Sequence, residues 1–349
     1  MEAATADFNT DHSGSRQDEW VSLRHRLIPL MRADAKTSLG CILGEYVAIF
    51  ATLTAGVFLL SRQDLPAWTI TVLAVPLVAI MAALQHRLSG LGHEASHYVL
   101  FRNALWNELA SDLLLMFPIF ALTQKYRASH FGHHRFVNDE SRDPDWKRLA
   151  AFRPMNFPLS KPRFLVQYVL RGIWPPASLS YLFGRAVAAN VSQEPPGRGQ
   201  PRAPYGPKVA RRLRGSYWLS ILTIVHATNG WLAFFVFWVA PLLTFYPLFM
   251  LLREIAHHAN AADDGPLTNS RHFEVHPILA WAVFPYGQNF HLLHHLFAMI
   301  PHHKMPEALA ILRESPAFRE QVITCHGYFL RRFGTTGPSV LELLARPGA

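Results

Sequence analysis

One stretch of this chain, from Tyr217 to Leu252, runs for 36 residues without one Asp, Glu, Lys or Arg. About 20 apolar helical residues cross the roughly 30 Å hydrocarbon layer of a membrane, so this stretch is long enough for two tilted crossings, with Trp238 to Pro241 as the predicted reversal point. Half of the 349 residues are hydrophobic and only 16% are charged, against about 25% in soluble domains. This composition argues against an ordinary soluble enzyme.

Two further apolar runs lie near the N-terminus, at about 39–60 and 67–88. The first contains one acid, Glu45, and a short polar break separates the two runs. Such a break predicts an antiparallel hairpin. With the later pair at about 217–236 and 238–252, the predicted fold class is an all-α membrane protein with four transmembrane helices in two hairpins.

Basic residues decide the predicted orientation. Five precede the first span and six lie shortly before the third, whereas the two hairpin turns contain one Arg between them. Because short cytoplasmic segments beside spans are rich in Lys and Arg, both termini are predicted to face the cytoplasm. The predicted organisation is a partly disordered cytoplasmic tail at 1–38, a membrane domain at 39–306 with a partly inserted interfacial helix at about 109–122, and a cytoplasmic helical segment at 307–349.

The formal net charge is +9, which is typical of proteins that meet nucleic acid, anionic lipid or an acidic protein. Nucleic acid is disfavoured, because the basic residues flank spans instead of lying on a soluble fold with exposed aromatic side chains. The basic segment before the third span fits anionic headgroups or an acidic electron carrier. The alternative is the ordinary basic flank of a cytoplasmic segment.

Histidine is the unusual residue type, with 19 in the chain. Residues three and four apart on a helix share a face, so a cluster with these spacings presents its imidazoles in one direction. A single pair is equally compatible with a surface feature, but a pattern repeated in distant segments indicates metal binding. Three clusters have these spacings: His93 and His97; His130, His133 and His134; and His291, His294 and His295.

Further candidate ligands follow the last predicted span. Glu254 and His258 stand four residues apart, so one helical turn could supply both to a metal ion, or Glu254 could orient a ligand. His257 points about 100° away from His258 on an ideal helix and is the weaker candidate. Asp143 and Asp145 could accept hydrogen bonds from ligand imidazoles, and Asp145 could itself bind metal. The alternative for these two is a turn with solvated acids.

Nine imidazoles without a cysteine exceed what one tetrahedral zinc site can use, so two metal ions are predicted. Imidazole suits zinc, copper, iron and nickel alike, and the ligand type therefore leaves the metal open. The clusters follow span ends, which predicts a site at the cytoplasmic membrane surface. A dinuclear iron centre there could activate dioxygen against an unactivated C–H bond, a reaction that side chains alone cannot perform.

The three histidine boxes, in this order and interleaved with two membrane hairpins, resemble those of the integral-membrane fatty acid desaturase and hydroxylase superfamily, and the flanking stretches resemble its bacterial members. The resemblance implies a four-helix membrane fold with a cytoplasmic helical cap, in the bacterial inner membrane with the site on the cytoplasmic side. It also implies a di-iron centre held by the boxed histidines and His258, with dioxygen as co-substrate. The chain shows neither a haem loop nor a CxxC pair, so the expected electron donor is external: a ferredoxin, a rubredoxin, or cytochrome b5 with its reductase.

The function implied by this resemblance is a desaturase that introduces a C=C bond into a fatty acyl chain or lipid. The same centre suits a hydroxylase, because the outcome depends on substrate placement, and some rhizobial relatives desaturate small amino-acid-like molecules of the dihydrorhizobitoxine type. A membrane zinc hydrolase would need three histidines and an open position, which leaves two clusters unused. A non-enzymatic metal carrier should have ligands along its spans, where only His226 is predicted.

Overall fold

The computed structural model describes residues 14–152, 157–191, 203–261 and 265–346. The described part is mostly helical, with one short parallel strand pair, β1 (His272–Phe273) and β2 (Thr324–Cys325). The predicted disordered tail falls partly at 1–13, outside the described residues, and the rest of it begins with a helix. The α-helices are α1 (Gly14–Leu27), α2 (Ala35–Leu60), α3 (Ala67–Ser96), α4 (Ala104–Ala110), α5 (Thr123–Arg135), α6 (Pro144–Phe152), α7 (Lys161–Phe164), α8 (Pro175–Val191), α9 (Pro207–Ala227), α10 (Trp231–Phe234), α11 (Ala240–Leu243), α12 (Phe245–His258), α13 (Pro277–Val283), α14 (His291–Leu296), α15 (Met305–Leu312), α16 (Pro316–Gln321) and α17 (Val340–Leu344).

The first two spans are helices α2 and α3, joined by a short turn and packed against each other. Asp34 begins α2, because its carboxylate accepts hydrogen bonds from the backbone N–H groups of Lys36 and Thr37. Helix α3 extends beyond the predicted end at residue 88 and continues to Ser96. The extension forms because Leu91 and Ala95 keep the same buried face packed in the core. As a result, α3 carries the first histidine box on a rigid helix.

The predicted reversal at Trp238 to Pro241 is wrong. Helix α9 ends at Ala227, and the chain turns at 228–230, where Asn229 has a φ of 52°. Asn tolerates this left-handed conformation better than most residues. From Trp231 the helical path then runs for 28 residues to His258. It passes Pro241 without breaking, because the π-helical turn before this proline rearranges the local backbone hydrogen bonds.

Three described helices are long and apolar enough to cross a membrane: α2, α3 and the path Trp231–His258. A fourth candidate is the bent pair Ala104–Ile119 and Thr123–Arg135, which meet at 89°. The chain is thus a helical membrane protein with three or four candidate spans. Helix α9 replaces the predicted span at 217–236, but its first turns contain Lys208 and three arginines and leave only a short apolar length.

In the region predicted to form an interfacial helix at 109–122, the structure has a helical run over Ala104–Ile119, formed by α4 and its continuation through one π-helical and one 3-10 turn. The run ends at Ile119, and the next residue, Phe120, has a φ of 61°. The carboxylate of Asp112 accepts hydrogen bonds from the backbone and hydroxyl of Thr123, at 3.0 and 2.7 Å. These bonds begin α5 at the bend, and so position the second histidine box.

The C-terminal part is less helical than predicted. Within 307–346 the structure has α16, α17, the end of α15 and strand β2, joined by irregular chain. The breaks follow from residues that do not continue a helix, including Gly327 and Gly334, which both have a positive φ. Helix α1 packs on this region through Leu27, and its Arg26 lies 2.5 Å from Glu314. The N-terminal helix therefore packs against the C-terminal part of the fold.

Candidate metal centre

Four separate elements bring the predicted ligands together. The end of α3 supplies the first box, α5 the second, the last residue of α12 supplies His258, and α14 the third box. All the predicted histidines meet around one point beside the span ends. Eight of them form two groups of four, in which every candidate ligand atom lies within 4.8 Å of the others. The groups are His93, His97, His130 and His294, and His133, His258, His291 and His295.

The first group lies between α3, α5 and α14. The Nε2 atoms of His97 and His130 are 2.8 Å apart. The ninth predicted ligand, His134, falls outside both groups of four but borders them. Its Nε2 lies 3.0 Å from that of His130 and 2.9 Å from that of His294, and its ring centroid is 4.4 Å from that of His295 in the second group.

The second group lies between α5, α12 and α14. The Nε2 atom of His258 is 3.2 Å from that of His133 and 2.8 Å from that of His291. The Nε2 atom of His295 is 3.0 Å from that of His291. Each group therefore combines residues from three separate helices. In the first group two members come from the end of α3, and in the second group two come from α14.

Asp143 fixes the orientation of His133. Both carboxylate oxygens lie 3.0 Å from Nδ1 of His133, which donates its proton to them. The same carboxylate accepts hydrogen bonds from the backbone N–H groups of Asn138 and Asp145, at 3.0 and 2.8 Å. His258 is oriented in the same manner, since its Nδ1 donates to the backbone carbonyl of Asn269 at 3.1 Å. Outer hydrogen bonds of this kind select the tautomer of a metal-binding histidine.

The facing nitrogens of His133 and His258 test whether these residues fit a metal ion. Each ring uses its Nδ1 proton in an outer hydrogen bond, which leaves Nε2 as the atom directed into the group. The two Nε2 atoms face each other at 3.2 Å, so one metal ion could contact both. In α14, burial holds the pKa values of His291 and His294 well below the usual value, and neighbouring imidazoles lower them further. The donor set thus fits metal binding.

Three predicted ligands make other contacts. The Glu254 carboxylate accepts hydrogen bonds from Arg148 and from the hydroxyl of Tyr181, at 2.9 and 2.7 Å. The carboxylate of Asp145 lies 3.3 Å from the Arg148 guanidinium. Neither carboxylate belongs to a group of four, and Asp143, not Asp145, supports a ligand.

His257 also stays outside the groups. Its Nε2 lies 3.0 Å from the backbone carbonyl of Gln288, and its ring stacks on that of His291 with centroids 3.5 Å apart. Adjacent residues of a helix point about 100° apart, and here the last turn of α12 directs His258, not His257, to the centre. His257 instead holds the third box in position.

Two histidines outside the boxes support the site from behind. His86 lies between the Ala282 carbonyl, 2.8 Å away, and the Arg253 guanidinium, 3.2 Å away. The carboxylate of Glu94, between the two histidines of the first box, accepts hydrogen bonds from the backbone and the ring of His302, both at 2.6 Å. This contact joins the first box to the segment that follows the third. Neither His86 nor His302 has the spacing of the boxes, so the sequence alone did not identify these two supporting residues.

A small cavity of about 40 Å³ borders both groups. Histidines of both groups form one wall. The side chains of Asp145, Arg253, Glu254 and Gln288 contribute to the other walls, together with the apolar side chain of Leu149. The cavity therefore brings charged and apolar side chains next to both groups.

Comparison with known proteins agrees with this geometry. The family model for fatty acid desaturases matches residues 66–329, which include all three histidine boxes. The chain belongs to the fatty acid desaturase family. This desaturase-family chain is also 28% identical, over 287 residues, to the dihydrorhizobitoxine desaturase of Bradyrhizobium elkanii; the match covers 76% of this chain and 75% of the relative. The resemblance stated from the boxes is confirmed, and membership places the chain among the oxidoreductases.

Proposed function

We propose that this protein is a dioxygen-dependent, di-iron desaturase that introduces a C=C bond into its substrate. The observation that carries the proposal is the pair of four-histidine groups, in which nitrogen atoms from separate helices, such as Nε2 of His133 and of His258, face each other at 3.2 Å. A single zinc site of a hydrolase would employ only one such group. Metal carriage would place ligands along the spans, whereas both groups lie at helix ends.

Two iron ions would be held by the two groups of four, with His134 between them as a ninth nitrogen ligand. When bound, the iron ions supply the activation of dioxygen needed to remove two hydrogens from neighbouring carbons. For each substrate molecule, the reaction consumes one dioxygen, two electrons and two protons from outside, and yields one alkene and two waters. We further propose that the electrons come from a separate carrier, a ferredoxin, a rubredoxin or cytochrome b5 with its reductase, and that the site faces the cytoplasm at the bacterial inner membrane.

The residues of this chain orient the ligands and the substrate. Asp143 and the Asn269 carbonyl hold two imidazoles with their Nε2 atoms directed inward. Arg253, Glu254 and Gln288 line the cavity and are bonded to one another, since Arg253 donates to both partners. Such a bonded wall holds a fixed shape, and the position of the substrate relative to iron decides between desaturation and hydroxylation.

The first candidate substrate is a fatty acyl chain or lipid, in line with the family and with the position of the centre at the span ends. A second candidate is a small amino-acid-like molecule. Two observations favour the second: the charged side chains that line the cavity, and the relative that is named for dihydrorhizobitoxine. A carboxylate or ammonium group of such a substrate matches a wall that contains Asp145, Arg253 and Glu254.

The proposal is tested first by metal content. Protein purified gently in detergent is expected to contain about two irons per chain, measured by elemental mass spectrometry, as two imidazole-rich sites require. His133→Ala and His294→Ala are expected to lose iron and turnover, while His276→Ala, at the exposed start of α13, retains both. One zinc per chain without iron, or full turnover in the two ligand variants, would contradict the proposal.

Substrate class is then tested with the iron-loaded protein, an electron donor and dioxygen. Parallel incubations contain acyl lipids or small amino-acid-like compounds, and mass spectrometry detects the product. Loss of two mass units indicates desaturation, and a gain of sixteen indicates hydroxylation. Arg253→Gln is expected to raise KM for a charged small substrate and to change KM little for an acyl chain. Turnover of neither class, in protein with its iron in place, would contradict both candidates.

A further inference from the structure

One segment of the cap has an apolar outer surface that the metal centre does not use. It comprises α7, its π-helical and 3-10 continuation, and α8 up to residue 184; we call it the 161–184 segment. Its inner side is buried through Phe164, Tyr168 and Tyr181. Its outer side exposes large apolar side chains, with Trp174 at 63% and Phe183 at 71% exposed. The other exposed apolar residues of this segment are Leu165, Val166, Leu170 and Leu179.

Basic residues accompany this apolar surface. Lys161, Arg163 and Arg171 are all exposed. Arg163, Gln167 and Arg171 follow one another at intervals of four residues, which places them on one side of a helix, whereas Leu165, Val166 and Leu170 occupy other positions of the turn. A basic edge beside an apolar face is the pattern of helices that lie in the plane of a membrane surface.

The contacts of the segment place it at membrane depth. Gly172 lies so close to Leu248 that an added Cβ would be 2.7 Å from the leucine Cδ1. Leu248 belongs to the candidate span Trp231–His258 and precedes its histidine-bearing end by ten residues, about 15 Å along the helix. The 28-residue path is about 42 Å long and exceeds the roughly 30 Å hydrocarbon layer by about 12 Å. Leu248 therefore lies near the boundary between acyl chains and headgroups.

We propose that the 161–184 segment lies in the membrane surface on the histidine-bearing side, with its apolar face among the acyl chains and with Arg163 and Arg171 against the phosphates of anionic lipids. The partner is the bilayer, because the segment packs through Gly172 against Leu248 of a candidate span while its apolar face stays exposed, and because the exposed basic edge complements anionic headgroups. This proposal concerns membrane binding and does not depend on the proposed reaction.

The same segment contacts the wall of the metal-side cavity. The hydroxyl of Tyr181 in α8 donates a hydrogen bond to Glu254, at 2.7 Å, and Glu254 lines the cavity beside the histidine groups. Arg148 of α6 donates to the same carboxylate. Through this hydrogen bond, a segment embedded in the leaflet fixes the distance between one wall of the cavity and the lipid.

Spin labels at exposed positions test the depth of the segment without disturbing its core. In a background with Cys41→Ala and Cys325→Ala, single cysteines replace Leu170 or Phe183, and the labelled protein is reconstituted in bilayers that contain phosphatidylglycerol. Collisions with dissolved oxygen and with a water-soluble nickel chelate are measured by electron paramagnetic resonance. Val47→Cys, exposed on α2, is the lipid control, and Glu320→Cys, exposed at α16, is the water control.

Labels at 170 and 183 are expected to lose collisions with the nickel chelate and to approach the oxygen accessibility of the Val47 control. Chelate accessibility as high as that of the Glu320 control would overturn the proposal. The lipid charge is tested separately with the double variant R163Q/R171Q and the control R24Q, which alters an exposed arginine of α1.

Phosphatidylglycerol is expected to raise the melting temperature of the wild type and of R24Q above the values in phosphatidylcholine. The double variant is expected to lose most of this shift, because two headgroup contacts are removed. An undiminished shift in the double variant would overturn the assignment of anionic headgroups to these arginines.

Discussion

At the scale of single residues, two neighbouring acids of one turn have different contacts. Asp143 is almost fully buried and accepts a hydrogen bond from Nδ1 of His133. Asp145 is partly exposed and forms an ion pair with Arg148. The Asp143 carboxylate is thus bonded to a histidine of the second group. We therefore expect the centre to depend more on the carboxylate of Asp143 than on that of Asp145.

Asp143→Asn is expected to weaken iron retention by about 10–100-fold, the range typical when the hydrogen-bond partner of a ligand is changed. The amide keeps the shape of the carboxylate but loses its charge, and one side of it presents a donor to His133. Retention is measured by dialysis against a competing chelator. The matched variant Asp145→Asn should change it much less, and an equal loss in both variants would refute the assigned role of Asp143.

His257 and His258 provide a second pair of neighbours for comparison. His258→Gln removes an inward nitrogen of the second group and is expected to lower the iron content towards one per chain, as expected for the loss of a ligand. His257→Gln can still donate to the Gln288 carbonyl and should retain both ions. Elemental analysis with circular dichroism separates ligand loss from misfolding. Iron loss in His257→Gln alone would reverse the assignment.

The spacing of the boxes was sufficient to predict seven members of the two groups and His134 beside them, whereas the eighth member, His258, was predicted from its place after the last span and from the family resemblance. It could not separate Asp143 from Asp145, because the backbone hydrogen bonds of the turn at Asn138 decide which carboxylate meets His133. Nor could the support of His258 by the Asn269 carbonyl be predicted. Every residue has such a carbonyl, so no residue type marks this contact.

At the scale of elements, α2 packs closely against the Trp231–His258 path at a glycine, Gly56. A Cβ added at Gly56 would lie 2.5 Å from Cε2 of Phe237, a side chain that is fully buried. By contrast, a Cβ at Gly44, on the same helix, would meet nothing within 4 Å. The same substitution, glycine to alanine, can therefore be compared at a position where the new Cβ meets a packed ring and at one where it meets nothing.

Gly56→Ala is expected to destabilise the protein by about 1–3 kcal/mol, because the ring of Phe237 must move in a packed interface. Gly44→Ala is expected to be neutral or slightly stabilising, since alanine favours a helix by about 1 kcal/mol over glycine. Thermal unfolding in detergent, followed by circular dichroism, measures both. If both variants unfold at the wild-type temperature, the two helices are less tightly packed at Gly56 than the structure shows.

Hydrophobic length predicted the first two spans well, since α2 and α3 begin at or near their apolar runs. It failed at the second pair, where the reversal was predicted at Trp238 to Pro241. A π-helical turn allows Pro241 to remain within a helix, while Asn229 adopts the left-handed conformation that ends one. Both outcomes depend on local backbone hydrogen bonds, which hydropathy does not describe.

At the scale of the whole molecule, the N-terminal helix joins the two ends of the chain. The side chain of Leu27 in α1 is fully buried in a cluster with Leu309, Leu312 and Phe318. The sequence of this region did not predict a packed helix, because a short polar helix is stable only when another part of the fold covers its apolar side. That partner lies about 280 residues later in the sequence, a separation that no local pattern reveals.

Leu27→Ala is therefore expected to destabilise the cap by about 2–5 kcal/mol, as for other buried leucines. Val21→Ala, at a half-exposed position of the same helix, should cost much less. Limited proteolysis of the detergent-solubilised protein measures the opening of this region. Equal cleavage of the two variants would show that α1 does not contribute to the stability of the cap.

The composition of the two histidine groups has a consequence for biosynthesis. Each group requires residues of the third box, His294 in one and His291 and His295 in the other. During translation, neither set of four can be complete until the chain has been made past these positions, after every candidate span has been synthesised. Metal loading is then a late event in maturation, which follows membrane insertion, and a nascent chain that stalls before α14 has no complete site in which to retain a metal ion.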